Sequence, residues 1–290
     1  MSAARTGERV RETKETRIAV SVNLDGSGSA VIATGVGFYD HLLSSLAHHS
    51  LIDIEIKAVG DTEIDDHHTV EDVALALGGA ISDALGDRAG ITRFGAARVP
   101  MDESLAQCAL DLSGRPYAVV DLPFRADRMG ELNTQMVEHA LYSFAQASGA
   151  TLHLDGRGRN DHHLAEAAFK ALARALRMAV TPDPRRAGVA AIATGVGLYD
   201  HLLSSLSHHS LIDIEINAVG DTEIDDHHTV EDVALALGGA ISDALGDRAG
   251  ITRFGAARVP MDESLAQCAL DLSGRPYACL LYTSPSPRDL

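Results

Sequence analysis

Apolar residues recur at two different periods along the first part of the chain, and the switches between periods lay out the elements. Residues 17–24 put Ile18, Val20, Val22 and Leu24 on one face, the period of a half-buried strand, and "DGSG" turns the chain into a second strand near residues 30–33. "FYDHLLSSLAHH" reads as a short helix and "LIDIEIKA" alternates again as a strand. Residues 67–85 then align Val70, Val73, Ala74, Leu77, Ile81 and Leu85 at helical spacing. The order is strand, strand, helix, strand, helix.

From Ser104 the order recurs. "SLAQCALDL" and "YAVVDL" are strands about the turn "SGRP", "NTQMVEHALYSFAQAS" is a helix, "TLHLD" a strand and "HHLAEAAFKALARALRM" a helix. Two α+β halves of like topology are expected, residues 1–95 and 96–189, each a sheet with two helices on one face, because apolar helix stripes are buried by laying them on a sheet. A second repeat is of another kind. Displaced by 160 residues, positions 32–118 match 192–278 with only three differences, Phe38/Leu198, Ala47/Ser207 and Lys57/Asn217. Residues 190–278 therefore read as a partial duplicate of 30–118, and residues 279–290, "CLLYTSPSPRDL", as an unrelated Ser/Pro-containing tail.

The chain has 290 residues, 46% of them apolar, and a net charge of -17, enough for globular cores and the wrong sign for gripping nucleic-acid phosphates. No stretch approaches the ~20 apolar residues of a membrane span and the N-terminus has no apolar signal core, so no membrane association and a cytoplasmic location are expected. Cys108, Cys268 and Cys279 make neither a disulfide framework nor a thiolate cluster.

The excess of histidine changes the picture, because ten of the fourteen stand in adjacent pairs. On a helix His67 and Glu71 share one face a turn apart, while His68 is rotated about 100° away, so adjacent histidines suit two neighbouring ions better than one. The second half repeats the device with His162, His163 and Glu166, and its earlier helix offers His139 where the first half offers His41. Symmetry between the halves then gives two sites of three imidazoles and one carboxylate: His67, Glu71, His139 and His163, and His41, His68, His162 and Glu166. Nitrogen and oxygen ligands without thiolate suit Mn(II), Fe(II) or Zn(II) at a working site. His48 and His153 are expected to be structural or solvated.

The words "RETKET", "TGVGFYDHLL", "IDDHHTVED", "GITRFG", "MDESL", "DLSGRP", "VEH" and "DHHLAEAAFKALARAL" occur in order between residues 11 and 176, and in them the chain resembles the imidazoleglycerol-phosphate dehydratase family of histidine biosynthesis. The resemblance implies a tandem duplicated fold like domain 2 of ribosomal protein S5, assembled as a 24-subunit homo-oligomer with two Mn(II) per site at subunit interfaces. It implies a hydro-lyase that takes water from D-erythro-imidazole glycerol phosphate to give imidazole acetol phosphate. The carbon that loses its proton adjoins an imidazole rather than a carbonyl, so the ring must carry the charge and Lewis-acidic ions would stabilise it.

The resemblance assigns metal ligation to the eight residues above and catalysis to Glu15, His67, Glu71, His162 and Glu166. It places Glu15, His49, Arg93 and Arg115 on the substrate, with the arginines on its phosphate, a match of planar fork to phosphate oxygens. Asp102 and Glu103 match without an assigned role. The family's "PSTKG"-like tail, whose Ser and Lys close over the phosphate, is missing after "DPRRAGV", Ser45 stands where many members have Gln, and the "LDGRGRNDHH" loop is a residue shorter than in some relatives. The repeat segment keeps His201, His227, His228 and Glu231 without counterparts of His139, His162, His163, Glu166 or Glu15, so no second active unit is expected. Besides an active or tail-impaired dehydratase, an inactive fused or misassembled chain that only binds metal and a two-metal hydrolase of another substrate stay open.

Overall fold

A computed structural model describes residues 4–183 and 190–281. The first half runs β1 (Thr6–Glu12), β2 (Thr16–Asn23), β3 (Ala30–Ala33), α1 (Gly37–Ser50), β4 (Asp53–Gly60) and α2 (His67–Leu85). The second runs β5 (Phe94–Met101), β6 (Ser104–Asp111), β7 (Tyr117–Asp121), a small ribbon β8 (Arg128–Met129) and β9 (Leu132–Asn133), α3 (Thr134–Ser148), β10 (Thr151–Arg157) and α4 (Asp161–Val180). The repeat segment carries β11 (Ala190–Ala193), α5 (Gly197–Ser210), β12 (Ile214–Asn217), α6 (His227–Leu245), β13 (Phe254–Met261) and β14 (Ser264–Asp271).

The two halves share one sheet order, β1-β2-β4-β3 and β5-β6-β10-β7. Each is the expected α+β half with one strand more at its start. That strand escapes a periodicity reading for a physical reason. β1, "TGERVRE", is a charged edge strand with only Gly7 buried, and β5, "FGAARVPM", is an edge strand of small residues that tolerates Pro100. The boundary expected at residue 95 falls inside β5. The strands expected to pair across "DGSG" and "SGRP" do not meet: β3 runs parallel to β4, and β7 parallel to β10.

α2 lies on β1 and β2 and packs on its other side against α3, while α4 lies on β5 and β6 and packs against α1. Helices of one half thus face helices of the other, and their apolar sides merge with both sheets in one continuous core. Close approach is built in with glycine. A Cβ on Gly7 would strike the Ala80 carbonyl of α2, one on Gly95 the Ala175 carbonyl of α4, and one on Gly78 the Phe144 carbonyl of α3. Because α2 meets α3 and α1 meets α4, the N-terminal turns that carry the paired histidines reach the neighbouring half's lone histidine.

The chain divides into two compact units, one reaching to Ala191 and including Ser204–Ile214 and Ala257–Gln267, the other formed by Ile192–Leu203, Glu215–Ala256 and the chain from Cys268 on. In the second unit α6 has the same sequence and length as α2, yet buries only Thr229 and Val233 where α2 buries twelve residues. Gly238 and Gly255 have nothing within 4 Å, although their counterparts Gly78 and Gly95 are hemmed in by backbone. The letters specify the helix; the packing partners are missing among the described residues. The three cysteines are free, and no described helix is long and apolar enough to cross a membrane. The sequence after residue 183 where the family's tail is expected, through 189, and the final residues from 282 lie outside the described residues.

Candidate metal centres

Both paired-histidine helices begin with a side chain that takes up a first-turn backbone N–H. Asp65 Oδ1 accepts from His67 N at 2.9 Å, and Asn160 Oδ1 accepts from His162 N at 3.0 Å. The imidazoles are thereby left to project from the helix start. One triad forms where α2 meets α3. Glu71 stands 3.5 Å from His67 Nε2 and 3.5 Å from His139 Nε2, and the two rings are 4.9 Å apart. His139 Nε2 is shielded from solvent and makes no hydrogen bond among the described residues. A buried nitrogen with no bond beside a second imidazole and a carboxylate is a donor set suited to a cation.

The other triad forms where α1 meets α4. Glu166 Oε1 accepts from His41 Nε2 at 2.8 Å and from His162 Nε2 at 2.9 Å, while Lys170 Nζ donates to Oε2 at 2.7 Å. Burial alone would raise the Glu166 carboxyl, but the bonds from Lys170, His41 and His162 hold it at about 2. In each triad the three ligand atoms lie within 4.8 Å of one another. The structure thus brings His139 to His67 and Glu71, and His41 to His162 and Glu166. His68 and His163 are not part of these clusters. His68 Nδ1 lies 3.1 Å from Asp61 Oδ2, and His163 Nδ1 lies 2.9 Å from Glu103 Oε2. Those bonds raise both histidines' pKa and hold Glu103 well below the usual carboxylate range.

Glu15 stands on the β1–β2 turn. Asp72 of α2 pins that turn, accepting from Arg11 Nε at 2.5 Å and from the Thr16 hydroxyl, which sets Glu15 close enough to His68 to act on it electrostatically. His49, at the end of α1, is pushed down by burial and then by the charges of His48, Lys170 and Arg174. Arg93 and Arg115 are elsewhere. Arg93 N donates to Ala179 O at 2.8 Å, and Ala179 lies seventeen residues past His162 on α4, about 25 Å along the helix. Its fork is engaged by buried Asp111, at 2.7 and 3.0 Å. The Arg115 carbonyl accepts from Thr151 at the start of β10, the strand end remote from α4's first turn.

Sequence reasoning passed over Lys170, whose i,i+4 spacing from Glu166 was legible, and Asp61. It also passed over a concavity of about 760 Å³ beside His162, lined by Phe38, Arg125, Arg128 and Arg159, because those arginines come from two segments separated in sequence, one running into β8 and the other leading into α4. His153 is buried and its Nε2 meets the Asp262 carbonyl at 2.7 Å, a structural role, whereas His48 is exposed. In the repeat segment His227 and Glu231 keep their 3.5 Å pair, but no third ligand joins them among the described residues.

The profile of the family described as imidazoleglycerol-phosphate dehydratase matches residues 34–176 and again 194–288. The chain is 52% identical over 194 residues to the imidazoleglycerol-phosphate dehydratase of Acidiphilium cryptum (strain JF-5), covering 67% of this chain and 99% of that one. It is 54% identical over 193 residues to the chloroplastic enzyme of that name from Pisum sativum, covering 66% of this chain and 69% of the relative. Among solved structures it resembles the imidazoleglycerol-phosphate dehydratase of Staphylococcus aureus, with TM-score 0.56, 34% identity, and 61% and 99% of the two chains covered. The enzyme from Pyrococcus furiosus in complex with (S)-C348 gives TM-score 0.54 and 35% identity, with 61% and 96% covered.

Proposed function

The chain belongs to the imidazoleglycerol-phosphate dehydratase family of hydro-lyases, and from that premise we propose that it converts D-erythro-imidazole glycerol phosphate to imidazole acetol phosphate in the cytoplasm, with two Mn(II) per site. The observation that carries this reading is the pair of matched triads, His67–Glu71–His139 and His41–His162–Glu166, formed across the two halves. Each would hold one ion. An Mn(II) ion held there would supply Lewis acidity to a bound substrate.

The chain's own groups divide the remaining work. Glu15, exposed and with no side-chain hydrogen bond among the described residues, would be the group that accepts the proton from the carbon beside the ring. Arg93 and Arg115 stand at the end of α4 and β10 remote from the triads, too far to grip the phosphate of a substrate held by the same chain's ions. That separation favours a homo-oligomer in which a neighbouring copy supplies the phosphate arginines and in which His68 and His163 join the triads of neighbouring copies; the 24-subunit particle that the family resemblance implies would be such an assembly. Divided sites of this kind make the active unit larger than the chain.

The alternative reading, a chain that binds metal without turning over substrate, is favoured by one observation. No Ser/Lys tail follows Val189, so a cation that would cover the phosphate is absent from the sequence. The two readings separate in one assay. The full chain is loaded with Mn(II) and given the phosphate ester, and imidazole acetol phosphate is measured beside the His162→Ala variant. Product from the wild type that falls at least 100-fold in the variant supports the dehydratase; metal uptake with no product supports the alternative.

A further inference from the structure

We infer that Asp61 and Glu103 are positioning residues, each fixing the ring tautomer of the second histidine of a pair so that Nε2 presents its lone pair to a metal. The inference rests on the metal reading above. A carboxylate accepts hydrogen bonds and donates none, so the imidazole nitrogen it touches must carry the proton. Asp61 Oδ2 and Oδ1 lie 3.1 and 3.4 Å from His68 Nδ1, and Glu103 Oε2 lies 2.9 Å from His163 Nδ1. Both rings thereby carry their proton on Nδ1, and His163 Nε2 has only Asn160 Nδ2 at 3.5 Å and the exposed Asp102 carboxylate at 3.7 Å beside it. His41 and His162 are the reverse, since their Nε2 atoms face Glu166.

The orienting carboxylate of the second half is itself held. Glu103 Oε1 accepts from Asn160 N at 2.8 Å and from Arg159 N at 3.2 Å, which leaves Oε2 for His163. Asn160 Nδ2 stands 3.5 Å from His163 Nε2, an amide donor directed at the lone pair. Metal-bound histidines as a rule give their second ring nitrogen to such an acceptor, which fixes ring and tautomer together.

The two halves reach this arrangement from positions that are not equivalent. Asp61 comes from the β4–α2 loop, seven residues before His68, whereas Glu103 comes from the β5–β6 turn, sixty residues before His163. The first half's counterpart of that turn, between β1 and β2, carries Glu15. Because Asp61 already holds His68, Glu15 is released from the orienting role that its counterpart Glu103 performs. Shared local folding does not explain one geometry produced by two different elements; a common demand on the two histidines does. The local part of the geometry survives in the repeat segment, where His228 Nδ1 lies 3.5 Å from Asp221.

The test uses the full chain with ¹⁵N-labelled histidine, stripped of metal and held well above the ordinary imidazole titration range. Two-bond ¹H–¹⁵N correlation reads each tautomer, with His68→Gln and His163→Gln assigning the two signals. Wild type is expected to show both as Nδ1–H, with Asp61→Ala reverting only His68 and Glu103→Ala only His163. Zn(II) affinity, read by competition with a chromophoric chelator, is expected to fall about 10–100-fold in each variant under conditions where circular dichroism shows it folded. Tautomers that do not change in the alanine variants, or that change with no loss of Zn(II) affinity, overturn the positioning role. Wild type that takes up no Zn(II) overturns the metal reading and this inference with it, even with the tautomers as expected.

Discussion

Replacing His139 by Leu sets the metal site against the fold, and the two are expected to respond with opposite signs. In the metal-free protein His139 Nε2 is shielded from water without a hydrogen bond, so the fold carries its desolvation penalty, about 1–3 kcal/mol for a buried polar group. Leucine of similar bulk removes that penalty. Glu71, left with His67 at 3.5 Å, is about one-third exposed and water can solvate it. The chelated variant should therefore be as stable as wild type or up to ~3 kcal/mol more stable, a rise in midpoint of up to about 6–12 °C at roughly 2–4 °C per kcal/mol. Metal affinity should move the other way. Structural Zn(II) sites bind with roughly 10–16 kcal/mol over four ligands, about 3 kcal/mol each, so losing one ligand should cost on the order of two decades with Zn(II) and less with the more weakly held Mn(II). Thermal unfolding in chelator and competition titration with Mn(II) read the two quantities. A variant destabilised by more than about 1 kcal/mol that takes up metal like wild type would show that His139 is a packing residue, and the reasoning would fail.

Asp53 accepts N–H bonds from Ser27, Gly28 and Ser29 at 2.8, 3.0 and 2.9 Å, which lowers its pKa. Its stabilisation is therefore present above the unfolded carboxyl's value of about 4 and lost as pH falls through the lower folded value. Asp53→Asn should lower the urea midpoint near neutral pH, with the gap from wild type closing in acid; a gap constant down to acid pH would contradict the assignment. Ile81 is fully buried, whereas its identical counterpart Ile241 is not. Ile81→Ala should cost about 2–5 kcal/mol in the main urea transition and Ile241→Ala under ~1 kcal/mol, so equal costs would mean that the repeat segment is packed like the original.

The helices were the legible part of the fold, because an apolar stripe at helical spacing is a local signal. Residues 67–85 emerge with the bounds read from the sequence, and α6 shows that the same letters form the same helix even when its apolar face is largely unpacked. Sheet pairing was less legible. Nothing local told β3 to pair with β4 rather than β2, and β1 and β5 lie on edges where alternation is not required. The same divide runs through the site. His67 with Glu71 and His162 with Glu166 follow from spacing on one helix, and His139 and His41 from the repeat between halves. The separation of Arg93 and Arg115 from the triads depends on where the chain ends of α4 and β10 lie, which no motif records. The Glu103–His163 bond spans sixty residues and two elements, so only the folded chain discloses it.

Each chain is expected to contribute two cation sites on which dehydration depends. Elemental analysis of the purified full chain, with product formation followed through chelation and reloading, tests it most directly. About two divalent ions per chain, activity lost on their removal and regained with Mn(II) is the expected result. Imidazole acetol phosphate formed at an undiminished rate by protein free of metal would contradict it.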